Sequence, residues 1–363
     1  MDSLQTTETA SPTFLFITCQ VGAERALKAE LAARWPGFTF AFSRPGFLTF
    51  KLPAGAVPAE DFDLRSTFAR AYGFSLGKTQ AATIEERAAD AWKLAGDRPF
   101  EALHVLSRDA ASMGYHGFEP HVTPEAEAAE AALRVHTPAG QGEALTRIAQ
   151  PGQLVLDCVL VEPDQWWIGY HRAASAESCL PGAIPDFDLP ENMVSRAYIK
   201  MEEALAWSGL PIKPGQKIVE IGCAPGGASQ ALLGKGLQVI GIDPAEVDAC
   251  VLSHPKFTHI RKRGVDVRRS EFRGVTWLAS DMNVAPQYTL DTVEAIVTHP
   301  AGAMRGLLLT LKLPDWELAA QLPEYLERIR SWGFSKVRAR QLVFNRREVC
   351  VTAVRRIAAR KKH

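Results

Sequence analysis

The chain has 363 residues, of which 47% are hydrophobic and 23% charged, which is ordinary for a globular protein of about two domains. No apolar run reaches the ~20 residues of a membrane helix, and the N-terminal stretch MDSLQTTETASPT lacks the features of a signal peptide. The six cysteines form no CxxC pair, which favours reduced thiols and argues against a zinc site. We therefore expect a cytoplasmic protein with no membrane segment and no metal.

The net charge is zero, but it is unevenly distributed along the chain. Residues 191–363 hold 26 Lys and Arg against 17 Asp and Glu, which leaves 15 basic and 24 acidic residues in 1–190. The basic clusters of the second half lie at 261–263, 268–269, 336–340, 346–347 and 355–362. One such cluster is typical of a solvated surface, whereas several in one half favour a polyanionic partner such as RNA.

The hydrophobic pattern of the first half predicts an α+β region. Its predicted strands are 13–18, 38–42, 47–52, 102–106, 154–161 and 166–171, and its predicted helices are 23–35, 84–94 and 124–135. The β-α-β-β beginning favours a small ferredoxin-like module. The Ala/Glu-rich segment 124–135 predicts an exposed helix, and the last two strands predict a β-hairpin.

A proline-containing stretch at 172–191 has little periodicity and predicts a domain boundary. The second half then alternates strands with helices, which predicts a doubly wound Rossmann-like sheet. The predicted strands are 218–221, 237–242, 275–280, 306–312, 336–343 and 349–354, and the predicted helices are 195–207, with Ser195 as its cap, 228–233, 290–298 and 315–332.

Residues 216–243 predict a β-turn-α-β unit that ends in an acid. The turn GCAPGG, residues 222–227, has three glycines that let the backbone turn sharply and leave room for a ligand. Pro225 removes an N–H donor, so the loop is a poor phosphate cradle and better suits S-adenosylmethionine (SAM). Asp243 is placed for the two hydroxyls of a ribose, and Glu220 can face a cationic ligand. The alternative is an α/β turn without a ligand.

Four polar residues fall near strand ends or on a neighbouring helix of this predicted sheet: Lys200, Asp281, Lys312 and Glu348. An alkyl hydroxyl is a weak nucleophile, so something must accept or share its proton as it attacks a methyl carbon. A lysine does this if burial or a neighbouring cation lowers its pKa. Each residue alone is also compatible with a purely structural role. Together the four favour methyl transfer to a hydroxyl, in which the two acids hold the lysines in place.

The segments SRAYIKMEEAL, VEIGCAPGGASQALL, SDMN, LTLKLP and NRREV occur in this order. Over roughly residues 192–355 the chain resembles the FtsJ-like RNA ribose 2′-O-methyltransferases. The resemblance implies a Lys200-Asp281-Lys312-Glu348 tetrad in which Lys312 accepts or activates the proton, Asp281 and Lys200 orient the ribose, and Glu348 supports Lys312. The candidate SAM-binding residues are Glu220, Gly222, Cys223, Ala224, Pro225, Gly226, Gly227, Asp243, Asp281 and, by resemblance alone, Asp266.

The segments TFLFITCQVGAERALKAEL, WWIGYHRA and PDFDLPENMVSRAYIK are similar to the RlmM-type 23S rRNA 2′-O-methyltransferases. The resemblance implies a ferredoxin-like module at 1–60, a THUMP-like RNA-binding region at 61–175, a linker at 176–191 and a catalytic domain at 192–363. It also implies 23S rRNA as partner, either naked or in a precursor particle, and a target cytidine in the peptidyl-transferase region. The acidic first half lacks the positive charge that a THUMP region needs in order to bind RNA.

Two other functions fit parts of the sequence. A SAM-dependent methyltransferase for small molecules or proteins needs no basic surface, and the lysine tetrad is unusual for it. A non-catalytic rRNA-binding or ribosome-assembly factor with a SAM fold would be favoured by loss of a tetrad residue, but all four are present. The sequence therefore favours an RNA ribose methyltransferase, and it does not predict the oligomeric state.

Overall fold

The computed structural model describes residues 12–55, 62–141, 145–299 and 304–355. The chain divides into two compact units, Met1–Ile184 and Pro185–His363, within the proline-containing stretch. The basic cluster predicted at 355–362 lies outside the described residues except for Arg355. Among the described helices, none combines the length and the hydropathy needed to cross a membrane.

The first unit contains a seven-stranded mixed sheet in the order β2-β3-β1-β4-β7-β6-β5. Neighbouring strands are antiparallel except β5 and β6, which are parallel. Its elements are β1 Phe14–Cys19, α1 Glu24–Arg34, β2 Thr39–Arg44, β3 Phe47–Lys51, β4 Ala69–Thr79, α2 Ile84–Ala95, β5 Ala102–Ser107, α3 Pro124–Val135, β6 Leu154–Glu162 and β7 Gln165–Arg172. Strands from 1–60 and from 61–175 share this sheet, and its division into ferredoxin-like and THUMP-like modules stays a prediction.

Strand β4 is central in this sheet, yet the sequence did not predict it. Its glycines weaken the strand pattern, but one of them is needed for packing. A Cβ at Gly73 would lie 2.5 Å from the ring of Phe16, which is almost fully buried. Helix α3 was predicted to be exposed, and this holds for only one side of it, because Ala126, Ala129 and Leu133 on the other face are fully buried.

The second unit confirms the predicted Rossmann-like fold. Its sheet has the order β10-β9-β8-β11-β12-β14-β13. The strands from β10 to β12 are parallel, and β14 is antiparallel to both β12 and β13. The elements are α4 Ala197–Ser208, β8 Lys217–Ile221, α5 Gly227–Gly234, β9 Gln238–Ile242, α6 Ala249–Leu252, β10 Phe257–Ile260, β11 Trp277–Ser280, α7 Pro286–Val297, β12 Gly306–Lys312, α8 Leu322–Ser331, β13 Lys336–Arg340 and β14 Glu348–Val354.

The chain order creates a crevice in this second sheet. From β8 the chain adds β9 and β10 on one side and then returns to add β11 on the other side. The loops at the carboxyl ends of β8 and β11 therefore run in opposite directions, and ligands bind at such a switch point in open α/β sheets. Helices α4 and α5 cover one face, where Met201, Trp207 and Leu232 join the core.

Some element boundaries differ from the sequence prediction. Strand β10 was not predicted, and β13 ends at Arg340 rather than at 343. Ser195 was predicted to cap α4, but the capping position is Arg196 and has no side-chain capping hydrogen bond. The Ser195 hydroxyl accepts a hydrogen bond from the Ala197 amide instead, at 3.3 Å.

Candidate active site

Four side chains from four parts of the second unit converge at one edge of its sheet. Asp281 directly follows β11, Lys312 is the last residue of β12, and Glu348 is the first residue of β14. Lys312 and Glu348 are directly opposite each other in the antiparallel register of these two strands. Lys200 reaches the same point from the first turn of α4. All four members of the predicted tetrad are therefore neighbours.

The four residues form a closed ring of alternating charge. Lys200 Nζ lies 2.7 Å from Asp281 Oδ2 and 2.8 Å from Glu348 Oε1. Lys312 Nζ lies 2.7 Å from Asp281 Oδ1 and also donates to Glu348 Oε2. Each carboxylate thus bridges both ammonium groups, and no side chain of the ring is more than 18% exposed. Such charge-assisted hydrogen bonds, largely shielded from water, fix the four groups relative to one another.

The ring sets the protonation states of two of its members. Burial alone would raise the pKa of Asp281, but Lys200 and Lys312 outweigh it and lower this pKa to about 2. Burial alone would lower the pKa of Lys200, but Asp281 and Glu348 outweigh it and raise this pKa above its usual value. At neutral pH Asp281 is therefore a carboxylate and Lys200 an ammonium group. Lys200 can donate hydrogen bonds in this state but cannot accept a proton.

A cavity of about 410 Å³ lies beside the ring. It opens at the carboxyl ends of β8, β9 and β11, which is the switch point of the sheet. Its walls are Ile221, Gly222, Ala224, Ile242, Asp243, Pro244, Lys262, Arg263, Gly264, Asp281, Met282, Asn283, Val284 and Tyr288. Asp281 belongs both to the ring and to this wall, so a ligand in the cavity would lie next to the ring.

Gly222 forms the floor of the cavity where β8 ends. Its φ angle is +83°, and a Cβ there would lie 3.1 Å from the backbone of Met282. Both the backbone angle and the close approach of the next strand's loop require glycine. A larger residue would push the loop after β11, which carries Asp281, away from its position.

Asp243 forms the opposite wall, one residue after the end of β9. Its Oδ2 accepts a hydrogen bond from the Ala224 amide at 3.2 Å, and its Oδ1 accepts one from the Ala245 amide at 2.8 Å. Each carboxylate oxygen has a second lone pair. The carboxylate is thus fixed in position and can still accept two hydroxyl groups.

Only part of the predicted GCAPGG loop lines the cavity. Gly222 and Ala224 do, whereas the Cys223 side chain points into the core and burial raises its thiol pKa. Pro225 is exposed and follows a cis peptide bond. Gly226 and Gly227 are buried at the start of α5, where a Cβ on Gly227 would collide with Ser195. Gly227 thus lets α4 and α5 pack closely, since α4 begins just after Ser195, whereas a Cβ on Gly226 would approach Val247 and Val251.

Glu220 and Asp266 were predicted to bind SAM, but neither lines the cavity. Glu220 is 1% exposed and hydrogen bonds with Ser229 Oγ. Burial raises its pKa to about 8, so it is largely uncharged at neutral pH. Asp266 is exposed at the end of a short 3₁₀ turn. Gly264, at the beginning of that turn, does line the cavity.

Several cavity residues were not predicted from the sequence. Lys262 and Arg263 follow β10, a strand that the sequence did not predict, and Tyr288 is on α7. Met282 and Asn283 directly follow Asp281 in the segment SDMN, so their position was available as a signal. A residue that follows a parallel strand lies at the edge where ligands bind.

The first unit contains another buried cluster, formed by His104, Asp157 and His171, whose ligand atoms could hold a metal ion. Both ring nitrogens of His171 already face acceptors: Nδ1 is 2.6 Å from Asp157 Oδ2, and Nε2 is 2.8 Å from the Ser178 carbonyl. Although burial opposes it, this environment raises the pKa of His171. The doubly donating imidazolium fits a buried ion pair better than a metal ligand.

Comparison with known proteins agrees with this geometry. Residues 193–322 match the sequence model of the family described as FtsJ-like methyltransferase. These residues form an FtsJ-like methyltransferase domain. The match covers α4, the GCAPGG loop, Asp281 and Lys312, and it ends before Glu348. This is a SAM-dependent methyltransferase family.

The chain is also similar to curated proteins named ribosomal RNA large subunit methyltransferase M. It is 33% identical to the protein of Methylococcus capsulatus over 47% of this chain and 49% of that one, and 31% identical to the protein of Azotobacter vinelandii over 47% and 50%. The matched part spans about half the length of these relatives. The protein of Alkalilimnicola ehrlichii is 27% identical over 93% of this chain and 94% of its own. The arrangement is therefore RlmM-like, with the FtsJ-like domain in the second unit.

Proposed function

We propose that this protein is a SAM-dependent RNA ribose 2′-O-methyltransferase that acts on 23S rRNA, with a cytidine of the peptidyl-transferase region as its target. The observation that carries the proposal is the ring of Lys200, Asp281, Lys312 and Glu348 beside a cavity that Asp281 also lines. The names of the relatives support rRNA as the substrate. The cytidine rests on the resemblance to the RlmM type.

The cavity fits SAM. Its volume of about 410 Å³ lies in the range of small-molecule sites. The fixed carboxylate of Asp243 would accept the ribose hydroxyls, and Gly222 adds no side chain of its own to the floor. The GCAPGG loop has a proline where a dinucleotide fold has a donor, which suits a ligand without phosphates. When bound, SAM supplies the methyl carbon as the electrophile.

The ring residues would align the hydroxyl and handle its proton. Lys200 is held as an ammonium group, so it would donate a hydrogen bond to the ribose and keep Asp281 in place. Lys312 is the more exposed of the two lysines, 18% against 11%. We therefore assign Lys312 the contact with the 2′-hydroxyl. Lys312 would first release one ammonium proton to solvent, and its neutral amine would then accept the proton of the hydroxyl as the oxygen attacks the methyl carbon. Glu348 would hold both lysines, and most of the rate enhancement would come from alignment.

Exposed cations on two sides of the site would contact the RNA backbone. Lys262 and Arg263 border the cavity, and Arg346 and Arg347 precede Glu348. These four side chains are exposed, whereas the ring between them is mostly buried. A target ribose turned toward the ring would leave its neighbouring phosphates near these cations. The substrate is thus a nucleotide within a strand rather than a free small molecule.

The deciding experiment is to incubate the purified protein with SAM and 23S rRNA lacking ribose methylation, and then to map 2′-O-methyl groups along the rRNA. We expect one methylated cytidine in the peptidyl-transferase region. Methylation at another nucleotide would keep the reaction but correct the target. The same assay with precursor particles shows which form is the better substrate.

The two rival functions give different results in this assay. A small-molecule methyltransferase would bind SAM but leave the rRNA unlabelled and unbound. A non-catalytic assembly factor would bind the rRNA, with an affinity that falls as salt rises, but would transfer no methyl group. Either result would overturn the proposed function.

A further inference from the structure

Glu203 is a buried carboxylate one helical turn after Lys200 on α4, and the proposed chemistry does not use it. Its Oε1 accepts a hydrogen bond from the Val343 amide at 2.7 Å, and its Oε2 accepts one from the Phe344 amide at 2.9 Å. It is 6% exposed. A buried carboxylate that accepts two consecutive backbone N–H groups attaches the helix to that loop.

The loop held by Glu203 is the connection between β13 and β14, residues 341–347. Within it, Asn345 Oδ1 accepts from the Leu342 amide at 2.9 Å, and Asn345 Nδ2 donates to Glu348 Oε1 at 3.4 Å. Asn345 also lines a small cavity together with Lys200 and Asp281. The loop therefore leads directly to the carboxylate that contacts both lysines.

These contacts form a closed circuit. Helix α4 contacts Glu348 through Lys200, and one turn later it holds the loop before Glu348 through Glu203. Residues three apart lie on the same face of a helix, so both contacts come from one rigid surface. We propose that Glu203 is a positioning residue, which fixes the 341–347 loop on α4 and thereby sets the distance between Lys200 and Glu348.

This inference rests on the proposed function, because it assigns Glu203 to the same reaction. Without the carboxylate, the Val343 and Phe344 amides would lose their acceptors in a buried place. The loop would move to find other partners and carry Glu348 with it. A displacement of about 1 Å at a catalytic group can lower a rate by about 100-fold.

The test compares Glu203 variants with a neighbour on the same helix. Glu202 is also mostly buried, but its carboxylate pairs with Lys235. Among the described residues, no hydrogen bond joins Glu202 to the 341–347 loop. We expect Glu203→Ala to lower kcat for RNA methylation by about 100-fold. Glu203→Gln keeps one acceptor oxygen and should lose about 10-fold. Glu202→Gln should lose less than about 3-fold, since its partner is half exposed.

Two further measurements separate positioning from general stability. The affinity for SAM should stay within about 3-fold in all variants, because Glu203 does not line the SAM cavity. Hydrogen exchange of the 341–347 peptide should become faster in both Glu203 variants and stay unchanged in Glu202→Gln. Equal kcat values, unchanged exchange in Glu203→Ala, or a parallel loss of kcat and SAM affinity would overturn the inference.

If the unaltered protein methylates no RNA, the proposed function fails rather than this inference. Hydrogen exchange then still decides whether Glu203 holds the loop. Faster exchange in Glu203→Gln with unchanged exchange in Glu202→Gln would support the attachment of the loop to α4, and equal exchange in the two variants would reject it.

Discussion

Each unit of this protein buries a cluster of ionisable side chains against its sheet, and the two clusters differ in where they lie on their strands. In the first unit, His104 and Asp157 lie within β5 and β6 and are directly opposite each other in the register. In the second unit, Asp281, Lys312 and Glu348 lie at the ends of β11, β12 and β14. Groups in mid-strand are enclosed by neighbouring strands, whereas groups at strand ends can face a cavity.

The two clusters also differ in how they are neutralised. The ring of the second unit has two ammonium groups and two carboxylates, and each carboxylate contacts both cations. In the first unit one carboxylate, Asp157, contacts one imidazolium, His171, and burial lowers the pKa of His104 to about 3 so that it stays neutral. We infer that the enclosed cluster contributes to stability, while the ring contributes to chemistry.

The largest expected effect comes from removing Lys312. Lys312→Ala should lower the rate of RNA methylation by about 1,000-fold, because the hydroxyl would lose its proton acceptor. SAM affinity, measured by calorimetry, should change little, since Lys312 does not line the cavity proposed for SAM. A matched control is Lys235→Ala, which removes an exposed lysine paired with Glu202 and should keep full activity.

A similar loss of SAM affinity and rate in Lys312→Ala would contradict this division of roles. It would mean that the lysine supports the cavity wall, through Asp281, rather than the proton transfer. Activity close to that of the unaltered protein would mean that another group accepts the proton.

The next largest effect concerns the enclosed cluster. Asp157→Ala should lower the free energy of unfolding of the first unit by about 3 kcal/mol, because it leaves His171 buried without its acid. SAM binding by the second unit should not change. Urea unfolding followed by hydrogen exchange of β6 and β8 peptides measures both units in one sample. A loss of SAM binding with an intact first unit would show that the two clusters are not independent.

The sequence predicted the second unit and its ring well, for a physical reason. The strands of a parallel sheet read as apolar runs, and the residues that end them meet at one edge. Asp281 and Lys312 could therefore be found without coordinates. Glu203 could not be found in this way, because the positioning role proposed for it depends on two backbone amides about 140 residues away along the chain.

The sequence predicted the first unit less completely. Strand β4 pairs with both β1 and β7, but its glycines hide the alternation that marks a strand. The buried face of α3 consists largely of alanine, and alanine does not distinguish a buried helix face from an exposed one. Glu220 was predicted near the end of a strand and lies there, in β8, whereas Asp266 was assigned to no element. Whether either side chain turns to a cavity or to the core depends on neighbours that the sequence does not show. Their role in SAM binding stays a prediction.

The pH dependence of stability should distinguish the clusters further. His104 has a pKa of about 3 when folded and an ordinary value near 6.5 when unfolded, so its contribution is present above pH 6.5 and is lost as the pH falls. Between pH 7.5 and pH 5 the advantage of the unaltered first unit over His104→Asn should shrink by about 2 kcal/mol. His171 and Asp157 contribute in the direction opposite to that of His104, and comparing the two proteins at each pH cancels both of these contributions. A constant difference would mean that His104 binds a proton in the folded state.

The smallest predicted effect tests which of two acids, Asp243 or Asp266, binds the cofactor. Asp243 is fixed by two backbone amides and lines the cavity, whereas Asp266 is exposed and does not. Asp243→Asn should weaken SAM binding about 10-fold, since it replaces a charged acceptor of two hydroxyls by an amide. Asp266→Asn should change the dissociation constant by less than about 2-fold. A larger effect for Asp266 would mean that the 3₁₀ turn which carries it moves toward the cavity when SAM binds, and that the wall seen here is the open form of the site.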